Sequence, residues 1–284
     1  MLPVAVIDES FDPNITSTYH LLVVVSPETF SFCILDTVRM KFLALKSFHF
    51  GQSLAPNHQV GELQRIFHTE GFLIRSYKSV FVSFNTFKSV LVPSPLFNAD
   101  RLETYFRYST PVSADEVILF TRIPAIDAQV LYAVPREVMA EIENSLDQVR
   151  FFNQACPLIT DAITDRTTSP SSRVYLQVND GFFDLAAFMG NKLLLYNSYL
   201  NQSVEDLIFL VLYVYEQLDL DPENTSLWLC GRITENEPLV GQLRKYIRKV
   251  DFMEFNRSYS YSYTFNDLVQ HHFVQLVNLA RCES

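Results

Sequence analysis

The sequence predicts a mixed α/β fold built from two similar halves. The chain has 284 residues, enough for two domains or for one duplicated domain. Hydrophobic residues make up 48% of the chain and charged residues 19%, a composition that excludes a disordered protein. Two separate stretches, which begin at Tyr19 and Arg173, each show three strand patterns in succession, then a helix pattern and a further strand.

The first stretch predicts an antiparallel meander, because only turns separate its three strand patterns. Pro27-Glu28 is the first of these turns, and phenylalanine or isoleucine alternates with small polar residues in the strand after it. The predicted elements are three strands (21–26, 29–36 and 39–50), a helix with one apolar face (58–70) and two more strands (77–84 and 87–93).

A small unit is predicted to be inserted into the first half at about residues 113–150. It contains a strand pair followed by a helix, and Pro135 stands where the first helical turn favours proline. Residues 167–172 are serine, threonine and proline, so we predict a connection there between halves at residues 1–166 and 167–284.

The second stretch repeats the element order of the first, which indicates an internal duplication. Asn179-Asp180-Gly181 and Gly190-Asn191 are strong turn sequences between its strands. Ser203 is a suitable N-cap, and the apolar run 207–215 in the helix after it predicts a buried helix, because a membrane span needs about 20 apolar residues. The predicted elements are strands at 173–178, 182–189 and 192–200, a helix at 203–218, a strand at 226–230, a helix at 237–249 and a strand at 251–255.

The C-terminal residues predict an extended segment followed by a helix over 266–280. In the extended segment, Tyr259, Tyr261, Tyr263 and Phe265 alternate with serine or threonine, so all four rings share one face. Packing of this face on the sheet is favoured over an exposed strand that binds a partner by edge addition.

Charge and cysteine usage exclude several classes of protein. The 32 acidic and 22 basic residues give a net charge of −10, which argues against nucleic acid as a partner. The basic cluster at 244–249 is interpreted as one solvated helix face. The four cysteines lack the spacing of a zinc site and are interpreted as reduced thiols. The N-terminus has no basic segment typical of a signal peptide, so we expect a cytoplasmic protein without a transmembrane segment.

Three segments resemble the duplicated actin-like ATPase fold, in which two RNase-H-like halves face each other. Residues 174–199 resemble its phosphate-loop meander, and residues 227–232 with the helix that starts at Pro238 resemble its adenosine loop. Residues 129–138 and their helix resemble the inserted subdomain of PilM-like and FtsA-like proteins. As a whole, the chain resembles an uncharacterised bacterial family with this fold.

The resemblance implies a nucleotide site between the halves, but the first-half turn departs from the ATPase pattern. Members that hydrolyse ATP have an Asp-x-Gly-x-Thr turn, in which the carboxylate orients metal-bound water and the glycine lets backbone N–H groups approach phosphate. In this chain the aspartate position falls on Val24 or Val25, glycine is absent, and Pro27 removes a backbone donor. The turn is therefore not a phosphate loop.

The second-half turns keep more of the pattern. Gln177 takes the strict aspartate position, and Asn179-Asp180-Gly181 is also a common hairpin turn, which we favour over a phosphate contact. The adenosine loop keeps Gly231, but Arg232 replaces the second glycine, and its guanidinium either blocks the base, which is favoured, or clamps an anion. If a nucleotide binds, the candidate cofactor-binding residues are Asn179, Asp180, Gly181, Gly231 and Arg232.

Other candidate sites are interpreted as ordinary surface. His271-His272 is attributed to a helix surface instead of a metal site, and the pair Asp161 and Asp165 to a solvated helix end instead of a Mg²⁺ site. We therefore hypothesise a non-catalytic assembly or regulatory protein with degenerate nucleotide loops and no resident cofactor. Its unidentified protein partner is expected to bind the inserted unit (117–148) or the tyrosine-rich segment (257–265). The alternative is an ATPase or small-molecule kinase that binds ATP and Mg²⁺.

Overall fold

A computed structural model describes residues 4–107, 109–164 and 172–283 of the chain. The first half is built on one main sheet, whose strand order is β1-β4-β3-β2-β5-β9. β2, β3 and β4 form the predicted antiparallel meander, and β5 and β9 extend it in parallel. The elements of this sheet and its helices are β1 (Val4–Ile7), β2 (Tyr19–Val25), β3 (Thr29–Asp36), β4 (Lys41–His49), α1 (Pro56–Thr69), β5 (Ser79–Phe84), β9 (Val149–Asn153) and α4 (Ala155–Thr164).

The second half repeats this arrangement in a sheet of order β12-β11-β10-β13-β14. Its first three strands are again an antiparallel meander, and β13 and β14 again extend the sheet in parallel. The shared strand order confirms the predicted plan of two similar α/β halves. The elements are β10 (Ser172–Val178), β11 (Phe182–Met189), β12 (Lys192–Leu200), α5 (Val204–Gln217), β13 (Ser226–Gly231), α6 (Pro238–Leu243) and β14 (Val250–Phe252).

Between β5 and β9 the chain forms an inserted unit with a three-stranded sheet. Its elements span residues 89–145, so it includes more of the chain than the unit predicted at about 113–150. Its sheet has the order β6-β8-β7, and its elements are β6 (Ser89–Pro93), α2 (Leu102–Phe106), β7 (Glu116–Ile123), β8 (Ala128–Pro135) and α3 (Arg136–Ser145). The sequence predicted β6 but not that it pairs with β8, from Ser89 opposite Tyr132 to Pro93 opposite Ala128. Residues 165–171, which hold the predicted boundary and most of the predicted connection at 167–172, lie outside the described residues.

The C-terminal segment packs between the two main sheets and closes the core that they share. This core combines Leu22 and Phe81 of the first sheet with Ala186 of the second, and Leu276 and Leu279 of the C-terminal segment complete it. Two further cores lie on the outer sides of the sheets, one under α1 and α3 and one under α5 and α6. Because the last residues belong to the shared core, they hold the two halves against each other.

Several predicted elements in the last fifth of the chain are wrong in length or kind. The helix predicted over 237–249 ends at Leu243, so the basic cluster 244–249 lies in the turns after it and not on a helix face. The strand predicted at 251–255 is β14, and it ends at Phe252. The helix predicted over 266–280 consists of two short 3₁₀ turns around α7 (Val274–Asn278).

The tyrosine-rich segment is extended only over β15 (Ser260–Tyr261), which pairs with β4. The next residues form a 3₁₀ turn in which the Ser262 hydroxyl accepts a hydrogen bond from the N–H of Thr264 at 3.2 Å, and this turn ends the alternation. The ring of Tyr261 stacks on Phe42, whereas Tyr263 is exposed. Tyr259, Tyr261 and Phe265 therefore pack on the core, as favoured from the sequence, and Tyr263 does not share their face. No helix in the described ranges is long and apolar enough to cross a membrane.

Candidate functional site

The turn between β2 and β3 is closed on itself and has little free backbone to offer a phosphate. The hydroxyl of Ser26 accepts hydrogen bonds from the N–H groups of Thr29 (3.0 Å) and Glu28 (3.3 Å), and the Ser26 N–H donates to the carbonyl oxygen of Thr29 at 2.9 Å. From α1, the Gln59 side chain donates to the Ser26 carbonyl oxygen at 2.8 Å. The backbone donors that a phosphate loop needs are thus used within the turn.

The facing turn between β10 and β11 is a hairpin, as favoured from the sequence. The N–H of Asn179 donates to the carbonyl oxygen of Phe182 at 2.9 Å, and Gly181 has a φ of +76°, a left-handed conformation that glycine adopts without strain. The carboxylate of Asp180 points toward the first half, where it accepts a hydrogen bond from the Ser26 hydroxyl at 2.5 Å. The two turns are therefore joined directly across the cleft.

Gly231, at the end of β13, lies against the backbone of β10. Its φ is +83°, and a Cβ added there would overlap the carbonyl oxygen of Val178. That same oxygen accepts a hydrogen bond from the N–H of Arg232 at 2.8 Å. This close approach requires glycine, and it sets the direction in which the Arg232 side chain leaves the strand.

The guanidinium of Arg232 reaches both turns and forms a set of contacts that we call the latch. Its Nη1 donates to Oε2 of Glu28 at 2.7 Å and to Oδ1 of Asp180, so one cation joins a carboxylate from each half. Its Nη2 donates to Nε2 of His49 at 2.7 Å. The Nδ1–H of His49 donates in turn to the Glu28 carbonyl oxygen at 3.0 Å, so these partners assign the neutral, Nδ1-protonated tautomer.

A second set of polar contacts, which we call the amide cluster, joins the halves deeper in the cleft. It consists of Asn85 after β5, Gln177 and Asn179 of the second half, and Gln275 on α7. Asn85 donates to the side-chain oxygens of Asn179 (3.1 Å) and Gln275 (3.0 Å). The side-chain amide of Gln177 also donates to the side-chain oxygen of Asn179, at 3.3 Å.

Asp184 on β11 is a buried carboxylate below the amide cluster. It accepts hydrogen bonds from Ser198 (2.5 Å), Asn179 (2.7 Å), Tyr196 (3.0 Å) and Gln154 (3.4 Å). Burial raises the pKa of Asp184 to about 6, against the opposing effect of these four donors. At neutral pH the Asp184 carboxylate is therefore mainly ionised. The hydrogen bonds that it accepts hold side chains from both halves in place.

The space left in the cleft is small. The cavity lined by the latch and the amide cluster has a volume of about 70 Å³, whereas small-molecule pockets usually measure roughly 300–1,000 Å³. A more open depression of about 300 Å³ lies on the outer side of Arg232, beside Gly181 and Pro238. Three carboxylates, those of Glu28, Asp180 and Glu237, line this depression with one guanidinium, which gives it an acidic character.

The other candidate residues take structural roles. His271 and His272 both donate from Nε2 to the carbonyl oxygen of Ile233, at 2.7 and 3.1 Å, and partial burial lowers the pKa of both rings. They therefore do not lie on the helix surface predicted for them. Asp161 pairs with Arg281 at 2.7 Å, and its predicted companion Asp165 lies outside the described residues. In the described ranges, no group of three or more His, Cys, Asp or Glu side chains could hold a metal ion.

The structure brings the five sequence-predicted site residues together and adds others that the sequence did not single out. Asn179, Asp180, Gly231 and Arg232 line the small cavity, and Gly181 lines the outer depression. Arg232 is directed at the two turns, where it pairs with carboxylates. The contributions of His49, Asn85 and Gln275 were missed, because single polar residues at strand ends or in a short helix carry no motif.

Comparison with known proteins finds a matching family and a similar solved structure. The family model described as "Protein of unknown function (DUF3822)" matches residues 8–250. A solved structure of a Bacteroides thetaiotaomicron VPI-5482 protein with an actin-like ATPase fold and unknown function is 25% identical in sequence, with a TM-score of 0.76 over 86% of this chain and 93% of that chain. No curated protein matches the chain.

Two more distant structures share the fold alone. PilM, solved in the PilM–PilN type IV pilus biogenesis complex, is 13% identical, with a TM-score of 0.58 over 93% of this chain and 98% of that chain. The ethanolamine utilization protein EutJ from Carboxydothermus hydrogenoformans is 8% identical, with a TM-score of 0.50 over 97% of this chain and 92% of that chain. These similarities and the duplicated strand order confirm the actin-like ATPase fold that the sequence resembles.

Proposed function

Since this chain belongs to the family described as protein of unknown function (DUF3822) and has the actin-like ATPase fold, we propose that it is a non-catalytic assembly or regulatory protein on that scaffold. One observation carries the proposal. The Arg232 guanidinium stands between the two turns that hold phosphate in ATP-hydrolysing members, and it is neutralised there by Glu28 and Asp180. The cleft thus contains its own ion pairs where a nucleotide would need free donors.

The groups that would activate a phosphate are replaced together, which supports the absence of catalysis. By the resemblance to ATP-hydrolysing members, the aspartate position falls on Val24 or Val25 in the first half and on Gln177 in the second, so both carboxylates are replaced. Loss of one positioned group that stabilises a transition state typically lowers a rate about a hundredfold or more. Release of Arg232 to meet a phosphate would also leave the carboxylates of Glu28 and Asp180 facing that anion, which opposes binding.

A protein partner is the second part of the proposal. The PilM structure that shares this fold is of a complex with PilN, and the scaffold therefore supports protein binding in at least one other chain.

All four cysteines of this chain are free thiols, which supports a reducing compartment such as the cytoplasm as the place of action.

Nucleotide binding is the competing function, and the outer depression of about 300 Å³ is the observation that favours it. In that case Arg232 would exchange its carboxylates for a phosphate and would clamp the anion. In the non-catalytic protein Arg232 stays paired with Glu28 and Asp180, whereas in a nucleotide-binding protein it binds the phosphate. Replacement of Arg232 therefore distinguishes the two functions.

Thermal unfolding with and without millimolar Mg²⁺·ATP tests the proposal on three proteins: the wild type, Arg232→Gly and the control Arg248→Gly. Arg248 is an exposed arginine paired with Glu223 on the surface. We expect no stabilisation by Mg²⁺·ATP in any of the three. A ligand at a hundred times its dissociation constant adds about 2.7 kcal/mol to the free energy of unfolding, which a melting curve registers. Stabilisation of the wild type and of Arg248→Gly, lost in Arg232→Gly, would establish nucleotide binding instead.

A further inference from the structure

The outer face of α5 is apolar and exposed, although the run 207–215 predicts a buried helix. Phe209 is 64% exposed and Tyr213 is 44% exposed, and half-buried Ile208 and Leu212 lie beside them. The two rings are stacked, with centroids 6.0 Å apart and planes 20° apart. Residues four apart on a helix are neighbours, so these side chains form a continuous apolar ridge, which we call the α5 ridge. Exposed apolar patches of this kind mark interaction surfaces in soluble proteins.

The surroundings of the α5 ridge are acidic. No lysine or arginine occurs between Lys192 and Arg232, a stretch that contains six carboxylates. Glu205 and Asp206 lie in the first turn of α5, where the helix dipole explains a negative charge. Glu216 is exposed at the other end of the helix, where the dipole disfavours it, and no basic residue occupies that last turn. Helix stability therefore does not explain why a carboxylate lies at position 216.

We propose that the α5 ridge binds an amphipathic helix of a partner protein, with leucine or aromatic residues on one face and lysine or arginine at its edges. The inference rests on the proposed function, and it puts the partner on α5 instead of on the inserted unit (117–148) or the tyrosine-rich segment (257–265) expected from the sequence. Side-chain ridges spaced at i and i+4 pack into the grooves of a second helix, and the acidic ends of α5 then meet the basic edges of that helix.

The charge pattern argues against two other occupants. A second copy of this chain would bring the same carboxylates face to face, and like charges across an interface oppose association. An anionic lipid surface attracts basic amphipathic helices, whereas α5 carries only carboxylates among its charged residues. The test distinguishes both of these occupants from a partner helix.

The test uses two synthetic peptides as probes, each a helix of about 18 residues, or five turns. One has leucine on one face and lysine on the other, and the second has glutamate in place of lysine. Fluorescence anisotropy measures their binding to the full chain. We expect the lysine peptide to bind the wild type at least about tenfold more tightly than the glutamate peptide, and Phe209→Ser to weaken that binding about tenfold or more. Glu216→Lys is expected to weaken it as well.

Ile74→Ser is the matched control, because Ile74 is an exposed apolar residue of the first half and its loss leaves the α5 ridge intact. Equal binding by Phe209→Ser and Ile74→Ser, absence of any binding to the wild type, or equal binding of both peptides would overturn the inference. Binding to phosphatidylglycerol vesicles, or dimerisation that Phe209→Ser abolishes, would overturn it in favour of the other occupants. Nucleotide binding overturns the proposed function alone, and it is measured separately by Mg²⁺·ATP stabilisation.

Discussion

The substitution Gly231→Ala tests the backbone geometry that supports the latch. A Cβ at this position would overlap the Val178 carbonyl oxygen and would stand 3.1 Å from the carbonyl carbon and the nitrogen of the same residue. All three are backbone atoms of a central strand, so they cannot turn away as a flexible side chain would. The substitution must therefore move β13 away from β10 or change the φ of +83°.

The expected cost has two parts. A left-handed conformation costs an L-residue about 1–2 kcal/mol relative to glycine. Separation of the strand ends also weakens the hydrogen bond from the Arg232 N–H to Val178, worth about 1 kcal/mol, and displaces the latch. We expect Gly231→Ala to lower the free energy of unfolding by about 3 kcal/mol, or the melting temperature by about 6 °C.

Gly190→Ala is the control, because Gly190 also has a positive φ (+58°) but a Cβ there would meet nothing within 4 Å. It should lose only the conformational part, about 1–2 kcal/mol. Calorimetric melting of the wild type and both variants measures the difference. If Gly231→Ala is no less stable than Gly190→Ala, the close approach of β13 to β10 does not exist as described, and the reasoning is refuted.

Two further predictions concern the cross-half contacts. Because the folded-state pKa of Asp184 is raised to about 6 from 3.8, the native chain holds more protons than the unfolded chain between these values, so this group lowers stability as pH rises from about 4 to about 6. The stability of the wild type relative to Asp184→Asn should therefore fall by about 2 kcal/mol across that window in urea unfolding, and parallel curves would contradict the pKa shift. In a double-mutant cycle of Arg232→Ala and Glu28→Ala, whose side chains are 30% and 25% exposed, we expect a coupling free energy of about 1 kcal/mol, and additive losses would mean that this ion pair is absent in solution.

The sequence predicts the strands of both meanders well, because each has a local pattern. Alternating side chains predict β3 over 29–36, the same residues that the structure assigns. Ser203 caps α5 as predicted, since its hydroxyl accepts a hydrogen bond from the N–H of Asp206 at 3.1 Å. These features depend on neighbours within a few residues, and the chain sequence contains that information.

Contacts between residues that are far apart in the chain could not be predicted from the sequence, because no local pattern encodes them. β6 has the pattern of a strand, but no local signal tells whether it pairs with β5 or with β8. The latch joins Arg232 to Glu28 over 204 residues and to Asp180 over 52 residues. In the same way, an apolar run predicts that α5 packs on its sheet but not that Phe209 points away from it. A helix that is apolar on most sides has the same sequence whether its outer face is covered or exposed.

Isothermal titration of the wild-type chain with Mg²⁺·ATP tests the central claim most directly, namely that Arg232 and its two carboxylates occupy the place of the nucleotide phosphates. The account predicts no heat beyond dilution up to millimolar ATP. A saturable heat that Asp180→Ala weakens would contradict it, because the cleft would then open and use the same turn to bind nucleotide.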